Sequence, residues 1–263
     1  MSAGFDVAGK AVIVTGGTKG IGSGIALRFL ELGADVLVCG RREPETLPAT
    51  GGASALFVAA DVREVEQIDR VIAVALERFG RLDVLINNAG GSPAADAASA
   101  SPRFSAAIVA LNLLAPLHFS QRANAVMQRQ ESGGVIVNIA SVSGVRPSPG
   151  TAAYGAAKAG LINLTQSLAV EWAPKVRVNA IVAGPIATEQ AELHYGGDAG
   201  IAAVGATIPL GRMGRPDDIA DACLFLASPL ARWISGSALT VHGGGERPAF
   251  LAAAESARTG GAA

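Results

Sequence analysis

The stretch that decides the fold lies at residues 11–22 and reads AVIVTGGTKGIG. Its first five residues are apolar or β-branched and predict a short buried strand. A glycine-rich turn follows, and a helical pattern then continues to Leu32, where Gly33 ends it. A strand that passes through such a turn into a helix predicts the first unit of an α/β sheet.

The same alternation of short apolar strands and longer helical patterns continues along the chain. Strands that are nearly all apolar are typical of a parallel sheet with helices on both faces. Right-handed crossovers then restrict the topology to a doubly wound, Rossmann-type α/β sheet of about seven strands. The strands are predicted at residues 11–15, 35–39, 55–59, 84–87, 135–139, 176–181 and 238–241.

The length of 263 residues predicts a single domain, because doubly wound sheets of this size fold around one core. We expect a catalytic domain over residues 1–245 and an alanine- and glycine-rich tail over residues 246–263. Half of the residues are apolar and 16% are charged, which favours elements buried on both faces. The formal net charge of -1 gives no basic excess, so no nucleic-acid partner is predicted.

The N-terminus shows no basic-then-apolar leader pattern, and we expect no apolar run long enough to span a bilayer. The sequence therefore predicts a soluble, cytoplasmic protein without a membrane partner. Its two cysteines, Cys39 and Cys223, lie far apart and lack metal-ligand spacing. They are predicted to be reduced, buried thiols, and no metal site is predicted.

The glycine-rich turn predicts a binding site for the pyrophosphate of a dinucleotide. Glycine permits a tight turn and close approach of the backbone, and the helix N-terminus offers free N–H groups to an anion. The spacing of Gly16, Gly20 and Gly22 differs from the commoner G-x-G-x-x-G fingerprint. A purely structural turn is the alternative interpretation.

The end of the second strand indicates which dinucleotide binds. A carboxylate at that position would bind the ribose 2′-hydroxyl and repel a 2′-phosphate. Here the position holds Gly40, followed by Arg41 and Arg42, and Lys19 lies in the glycine-rich turn. Cations on two sides suit a phosphate, so NADP(H) is favoured and NAD(H) is the alternative. The competing interpretation is that both arginines only solvate a loop.

A possible proton-transfer site is formed by Tyr154 and Lys158, four residues apart on one helix face, with Ser141 thirteen positions upstream. An ammonium beside a phenol lowers the phenol pKa from its usual value near ~10. A phenol tuned in this way can give a proton to a carbonyl oxygen or take one from an alcohol. The alternative interpretation is that Tyr154 and Lys158 are an ordinary exposed pair on the surface of a helix.

Together these motifs resemble the short-chain dehydrogenase/reductase family, from about residue 8 to about residue 245. Thr15 to Gly22 resembles its cofactor motif, and Asn87-Asn88-Ala89-Gly90 resembles the motif after its fourth strand. Asp61 resembles the residue that meets the adenine ring. The catalytic tetrad of the family is matched by Asn112, Ser141, Tyr154 and Lys158.

The resemblance implies a role for each of these four residues. Tyr154 would be the general acid in reduction and the general base in oxidation, and Ser141 would orient the substrate oxygen. Lys158 would bind the nicotinamide ribose and lower the pKa of Tyr154. Asn112 would hold a water that links Lys158 to solvent.

The resemblance also implies the cofactor contacts, although the chain departs from the family pattern at two positions. Ala183 stands where a proline is usual, so a looser turn is expected, and His242 replaces a frequent aspartate. Within segment 183–215, which covers the substrate in this family, His194 and Tyr195 are candidates to touch the substrate. The expected cofactor-binding residues are Gly16, Thr18, Lys19, Gly20, Ile21, Gly22, Arg41, Asp61, Val62, Asn88, Ala89, Gly90, Tyr154, Lys158, Gly184, Pro185, Ile186 and Thr188.

These features predict an NADP(H)-dependent oxidoreductase that acts on a small-molecule ketone or secondary alcohol. The resemblance implies a homotetramer, with helices around residues 100–128 and 152–173 between subunits. Alternatives within the family are a 3-oxoacyl-thioester reductase, with carrier-protein or coenzyme A substrates, and a steroid- or sugar-alcohol dehydrogenase. A non-catalytic nucleotide-sensing protein is the alternative from another class, and the complete tetrad argues against it.

Overall fold

A computed structural model of the protein describes residues 5–189, 191 and 195–260. A parallel sheet forms its centre and confirms the predicted doubly wound α/β fold. The strands are β1 (Ala11–Thr15), β2 (Asp35–Gly40), β3 (Ala49–Thr50), β4 (Ala53–Ser54), β5 (Leu56–Ala59), β6 (Val84–Asn87), β7 (Gly134–Ser141), β8 (Val176–Ala183) and β9 (Ala238–Val241). The seven-stranded sheet has the spatial order β5-β2-β1-β6-β7-β8-β9, while β3 and β4 form a separate small hairpin.

The helices cover both faces of the sheet. They are α1 (Gly20–Glu31), α2 (Val65–Phe79), α3 (Pro102–Val109), α4 (Ala115–Met127), α5 (Ala152–Glu171), α6 (Gly197–Thr207), α7 (Pro216–Ala227) and α8 (Ala249–Gly260). A π-helical turn, Ala110–Leu114, joins α3 to α4. It therefore makes one continuous helical segment of these elements.

Alternation along the strands explains why both faces are apolar. Val12 and Val14 of β1 pack in one core cluster with residues of α1 and α7. Ile13, which points the opposite way, packs in a second cluster with residues of α2, α4 and α5. Each strand of the sheet centre therefore needs apolar residues at consecutive positions.

The segment Pro102–Met127 departs from the expectation that no apolar run could span a bilayer. It is 26 residues long, and its most apolar window has a mean hydropathy of 1.3. A third of that window, 33%, is buried inside the protein. Length and composition alone would allow it to cross a membrane. Phe119, Ala123 and Met127 of this segment lie in the core beneath the sheet, which is the behaviour of a core helix in a globular domain.

Three elements were not predicted from the sequence. The β3–β4 hairpin has two-residue strands around Gly51 and Gly52, both with positive φ, which is too short for a periodic signal. Helix α6 lies in the segment interpreted as a loop, and α8 lies in the tail. Both helices are rich in alanine and glycine, so an apolar stripe of the usual kind does not mark them.

The sheet has a crevice between β1 and β6, at the point where the order of the strands reverses. Thr15, the last residue of β1, closes the base of this crevice. Its hydroxyl oxygen accepts hydrogen bonds from the backbone N–H groups of Asn88 and Ala89, both at 2.9 Å. The ends of the two strands are therefore fixed to each other at the point where a ligand would enter.

A buried chain of polar side chains ties the sheet to the helices that carry the site. Asn87 of β6 donates to Ser120 of α4 at 2.9 Å and to Asn138 of β7 at 2.8 Å. Asn138 in turn donates to the hydroxyl of Thr165 on α5 at 2.9 Å. None of these four residues is more than 3% exposed. Because Asn138 lies three residues before Ser141, these bonds fix the register of α5 against β7.

Replacing Thr165 with valine tests this register contact. Valine keeps the shape but removes the hydroxyl, so the buried amide of Asn138 loses its acceptor, which costs about 1–3 kcal/mol of stability. Ser167→Ala is the matched control, since that exposed hydroxyl bonds Asn163 four residues back in the same helix. Urea unfolding should show a loss below about 0.5 kcal/mol for the control. Equal losses of unfolding free energy in the two variants would show that the hydrogen bond between Asn138 and Thr165 does not stabilise the fold.

Candidate active site

An open cleft of about 1030 Å³ lies at the carboxyl ends of β1, β2, β6, β7 and β8. Every residue predicted to contact a cofactor lines this cleft, and so does Ser141. Asn112 does not line it but lies fully buried behind its wall. The structure therefore brings the predicted site residues into one place, from seven separate regions of the sequence. Their individual roles remain predictions.

The glycine-rich turn forms a cradle in which the backbone comes too close for side chains. A Cβ atom on Gly22 would lie 2.3 Å from the carbonyl oxygen of Gly16 and 2.4 Å from the amide nitrogen of Asn88. That Asn88 amide donates to the carbonyl of Thr15 at 2.9 Å and to that of Gly16 at 3.2 Å. The first turn of α1 is thereby held with its N–H groups facing the cleft.

The N-terminus of α1 fits the diphosphate of a dinucleotide. The helix has twelve residues, and its N-cap, Lys19, makes no side-chain cap to the first N–H groups. These N–H groups and the positive end of the helix dipole attract an anion. Gly16 adopts a φ of +63°, so the turn needs glycine there for conformational as well as spatial reasons.

The end of β2 carries the cations that were expected to recognise a 2′-phosphate. Arg41 and Arg42 line the cleft beside Gly40, and Lys19 lines it from the glycine-rich turn. Across the cleft, Arg63 binds both oxygens of Asp61, with distances of 2.9 Å and 2.5 Å. This bidentate bond, with a smaller contribution from Arg41, lowers the pKa of Asp61. Asp61 is therefore a paired carboxylate at neutral pH.

Tyr154 and Ser141 meet at the other end of the cleft. Ser141 ends β7 and Tyr154 lies in the first turn of α5, and their side chains are hydrogen bonded to each other. Burial raises the pKa of the Tyr154 phenol, while the bond to Ser141 opposes that rise. The phenol is therefore protonated at neutral pH and can donate to an oxygen bound beside it.

Lys158 lies beside Tyr154 but is buried. Its amine lies 5.6 Å from the centre of the Tyr154 ring and donates to the carbonyl oxygen of Ile139 at 2.7 Å. Burial lowers the pKa of Lys158 to about 8 and raises that of Tyr154, because desolvation disfavours the charged form of each group. The net shift of the Tyr154 pKa is therefore upward, opposite to the expected one, and the role of Lys158 in lowering it remains a prediction.

Asn112 lies in the π-helical turn, where such irregularities often mark functional positions. Its amide oxygen accepts from the N–H of Gly91 at 2.8 Å, and its amide nitrogen donates to Gly91 and Ile108 at 3.0 Å and 2.9 Å. A Cβ on Gly90 would lie 2.7 Å from the Asn112 oxygen and 3.2 Å from the amine of Lys158. Asn112 therefore fixes the turn that touches Lys158, and its role in holding a water remains a prediction.

The turn after β8 keeps its place despite Ala183. Gly184 donates to the carbonyl of Val241 at 2.9 Å, and Gly214 donates to that of Pro185 at 3.0 Å. Gly184 packs tightly against His242, since a Cβ there would lie 2.6 Å from the His242 Cβ. These contacts hold the site in place, as expected, and the looser turn remains a prediction.

The substrate side of the cleft is lined by Tyr195, as the sequence suggested. This phenol lies near enough to Arg146, Glu246 and Tyr154 to interact with them electrostatically. Arg146 and Glu246, a hundred positions apart, form an ion pair beside it. His194, the other candidate in this segment, lies outside the described residues.

Three charged residues of the cleft, Glu43, Arg63 and Glu189, were missed by the sequence analysis, and two of them make contacts that shape the site. Arg63 follows Asp61 by two positions, a spacing that could have suggested the pair in a loop. Glu189 follows Thr188 and reaches the N-terminus of α1, where its carboxylate accepts from the N–H of Gly20 at 2.8 Å. A contact over 169 positions leaves no local signal in the sequence.

Comparisons with known proteins agree with this geometry. The profile of the family described as enoyl-(acyl carrier protein) reductase matches residues 16–246. A 3alpha-hydroxysteroid dehydrogenase of Mediterraneibacter gnavus is 37% identical over 242 residues, covering 89% of this chain and 96% of that protein. A probable 2,4-dienoyl-CoA reductase of Bacillus subtilis is 38% identical over 245 residues, with the same two coverages of 89% and 96%.

A solved structure of another dehydrogenase is also similar to this chain. The ligand-free aldohexose dehydrogenase of Thermoplasma acidophilum is 33% identical, covers 92% of this chain and 96% of its own, and has a TM-score of 0.84. The chain therefore belongs to the short-chain dehydrogenase/reductase family. It is an NAD(P)-dependent oxidoreductase of the kind that acts on CH–OH groups.

The buried amine of Lys158 predicts a rise of stability with pH. Its pKa is about 8 in the folded protein and 10.5 in the reference state, so between these values the unfolded chain binds more protons. The free energy of unfolding should therefore increase by about 2 kcal/mol between pH 7.5 and 9.5 from this group alone.

Lys158→Met isolates that contribution. Methionine has similar length but no charge, and the cost of losing the bond to Ile139 does not depend on pH. Denaturant unfolding of both proteins at several pH values should give a difference that grows in favour of the wild type as pH rises. Parallel stability curves would show that Lys158 is not desolvated in this way.

Proposed function

We propose that this protein is an NADP(H)-dependent ketone reductase and secondary-alcohol dehydrogenase that uses Tyr154 as its general acid/base. The observation that carries the proposal is that the Ser141 and Tyr154 hydroxyl groups lie together inside the cleft. When a carbonyl oxygen replaces their contact with each other, each hydroxyl can donate its one proton to that oxygen. Both lie beside a cradle that suits a dinucleotide.

The chemistry divides between the cofactor and the protein. The nicotinamide, when bound, supplies a hydride to the substrate carbon or accepts one from it. Ser141 holds the substrate oxygen, and Tyr154 gives it a proton as negative charge develops there. The raised pKa of Tyr154 keeps the phenol protonated at neutral pH, which is the form that reduction requires.

Lys158 would have two tasks: to bind a ribose hydroxyl of the cofactor and to stabilise negative charge on Tyr154. Its amine lies under the Tyr154 ring, next to Gly90 on the wall of the cleft, where a ribose hydroxyl can reach it. With a pKa of about 8 it is charged at neutral pH and supports negative charge on the phenol after proton transfer. Asn112 would keep the Gly90–Gly91 turn in position for both tasks.

The preference for NADP(H) is supported by the charges around the adenosine end. Gly40 has no side chain and leaves space, and Arg41 and Arg42 follow it and line the cleft. The carboxylate of Asp61, which also lines the cleft, is already held by Arg63. It is therefore less able to repel a 2′-phosphate than a free carboxylate would be.

Reduction of a thioester-linked chain is a second candidate. It is favoured by the description of the matching family, an enoyl-(acyl carrier protein) reductase, and by the similarity to a probable 2,4-dienoyl-CoA reductase. The same pair of hydroxyl groups would hold the oxygen of a 3-oxo group. Rates with simple ketones, 3-oxoacyl thioesters and 2-enoyl thioesters, each followed by NADPH absorbance, separate these candidates.

We further propose that the protein forms a homotetramer in the cytoplasm. Leu114 and Val170 are large apolar residues on the two helical segments predicted to lie between subunits, and they are 41% and 80% exposed in the single chain. Exposed side chains of this kind on paired helices favour a contact with another copy. A tetramer would have four times the chain mass of 26.4 kDa.

Replacing Tyr154 with phenylalanine tests the mechanism. Loss of the phenol proton should lower kcat by about 10²- to 10⁴-fold. The dissociation constant for NADPH, measured by fluorescence titration, should stay close to the wild-type value. Tyr195→Phe removes the other phenol of the cleft and serves as the comparison, because a residue that only contacts the substrate should alter KM while retaining most of kcat. Full activity in Tyr154→Phe would exclude the proposed acid.

Replacing Arg41 with aspartate tests the phosphate site. A carboxylate at the end of β2 repels a 2′-phosphate and can bind a 2′-hydroxyl, so the ratio of kcat/KM for NADPH over NADH should fall at least about 10-fold. Arg78→Asp makes the same charge change on α2, outside the cleft, and should leave the ratio unchanged. If both variants keep the wild-type ratio, Arg41 does not select the cofactor.

A further inference from the structure

One acidic side chain reaches the anion-binding end of α1 from a distant part of the chain. Glu189 accepts a hydrogen bond from the N–H of Gly20, the first residue of α1, at 2.8 Å. Both residues line the cleft. Thr188 lies on the same side, with its methyl group 3.5 Å from the position of a Cβ on Gly20. The carboxylate therefore uses a donor that faces the proposed cofactor.

A carboxylate and a phosphate make the same demand on this N–H group. Each offers a negatively charged oxygen that is attracted to a helix N-terminus. Gly20 has one N–H, so a phosphate oxygen can bind there at full strength only when Glu189 releases it. The two anions therefore compete for one donor, and they also repel each other.

The local backbone allows Glu189 to move without disturbing its neighbours. The strand-like contact between Ile186 and Gly214 holds the chain up to that point, and the N–H of Ala187 donates to Gly214 at 2.8 Å. A further bond, from the N–H of Ala191 to the carbonyl of Thr188 at 2.8 Å, spans Glu189. Glu189 itself is exposed, so within the described part of the chain its side chain can leave the N–H of Gly20 by breaking one exposed hydrogen bond while these backbone bonds remain.

We propose that Glu189 competes with the cofactor diphosphate for the N-terminus of α1 and thereby weakens cofactor binding and speeds cofactor release. This inference rests on the proposed function, because it takes the cradle as the diphosphate site. In the free enzyme the carboxylate occupies the donor. In the loaded enzyme it stays close to the diphosphate and raises the free energy of the complex.

Glu189→Gln tests the inference because it keeps the size of the side chain and removes its charge. The dissociation constant for NADPH, from fluorescence titration, should fall about 3- to 10-fold, and the release rate from stopped-flow displacement should fall as well. The advantage of the variant should shrink in high salt, since screening weakens the repulsion between charges. Glu31→Gln is the matched control at the opposite end of the same helix.

Each outcome decides one question. If NADPH binds but Glu189→Gln binds it equally or more weakly than the wild type and the Glu31→Gln control, the inference is overturned while the proposed function stands. If no nicotinamide dinucleotide binds to any of the proteins, the proposed function fails instead. In that case, the competition between Glu189 and an anion for the N-terminus of α1 is tested by measuring the melting temperature of each protein with and without inorganic pyrophosphate. A larger rise in the melting temperature of Glu189→Gln supports the inference, and equal rises in all three proteins overturn it.

Discussion

The site depends on one close approach between pieces of backbone. Gly22, in the first turn of α1, packs on the carbonyl of Gly16 and on the amide of Asn88, with no room for a side chain. This contact sets the helix axis against the ends of β1 and β6, so the helix N-terminus points into the crevice between them. The cavity, the charge that it attracts and the order of the strands beside it all follow from that placement.

Burial determines the electrostatics at the opposite end of the cleft. The same loss of solvent raises the pKa of Tyr154 and lowers that of Lys158, since each group is pushed toward its neutral form. The two shifts bring the pKa values of the phenol and the amine further apart. The phenol therefore keeps its proton at neutral pH, and the amine holds its own less firmly than the amine of an exposed lysine does.

Much of the fold could be predicted because its signals are local. The apolar strands at 84–87 and 238–241 and the helix at 65–79 occur as the sequence indicated. Predicted cofactor contacts also converge on one cleft, because they lie at strand ends that a parallel sheet brings to one edge. The direction of the Tyr154 pKa shift could not be predicted, since four-residue spacing shows proximity but not the depth of burial. The contact of Glu189 with Gly20 was equally hidden, because it depends on where a long connection returns.

The two halves of the cleft are therefore built under different constraints. The cofactor half is made by the ends of central strands and by backbone contacts that exclude side chains, so few substitutions fit there. The half beyond Tyr154 is lined by Tyr195, with the Arg146–Glu246 ion pair beside it, and these three residues come from separate connections and lie at least partly in solvent. Changes in those connections leave the sheet and its polar chain intact. This division explains how proteins with more than 30% identity and one fold carry names as different as a steroid dehydrogenase and a dienoyl-CoA reductase.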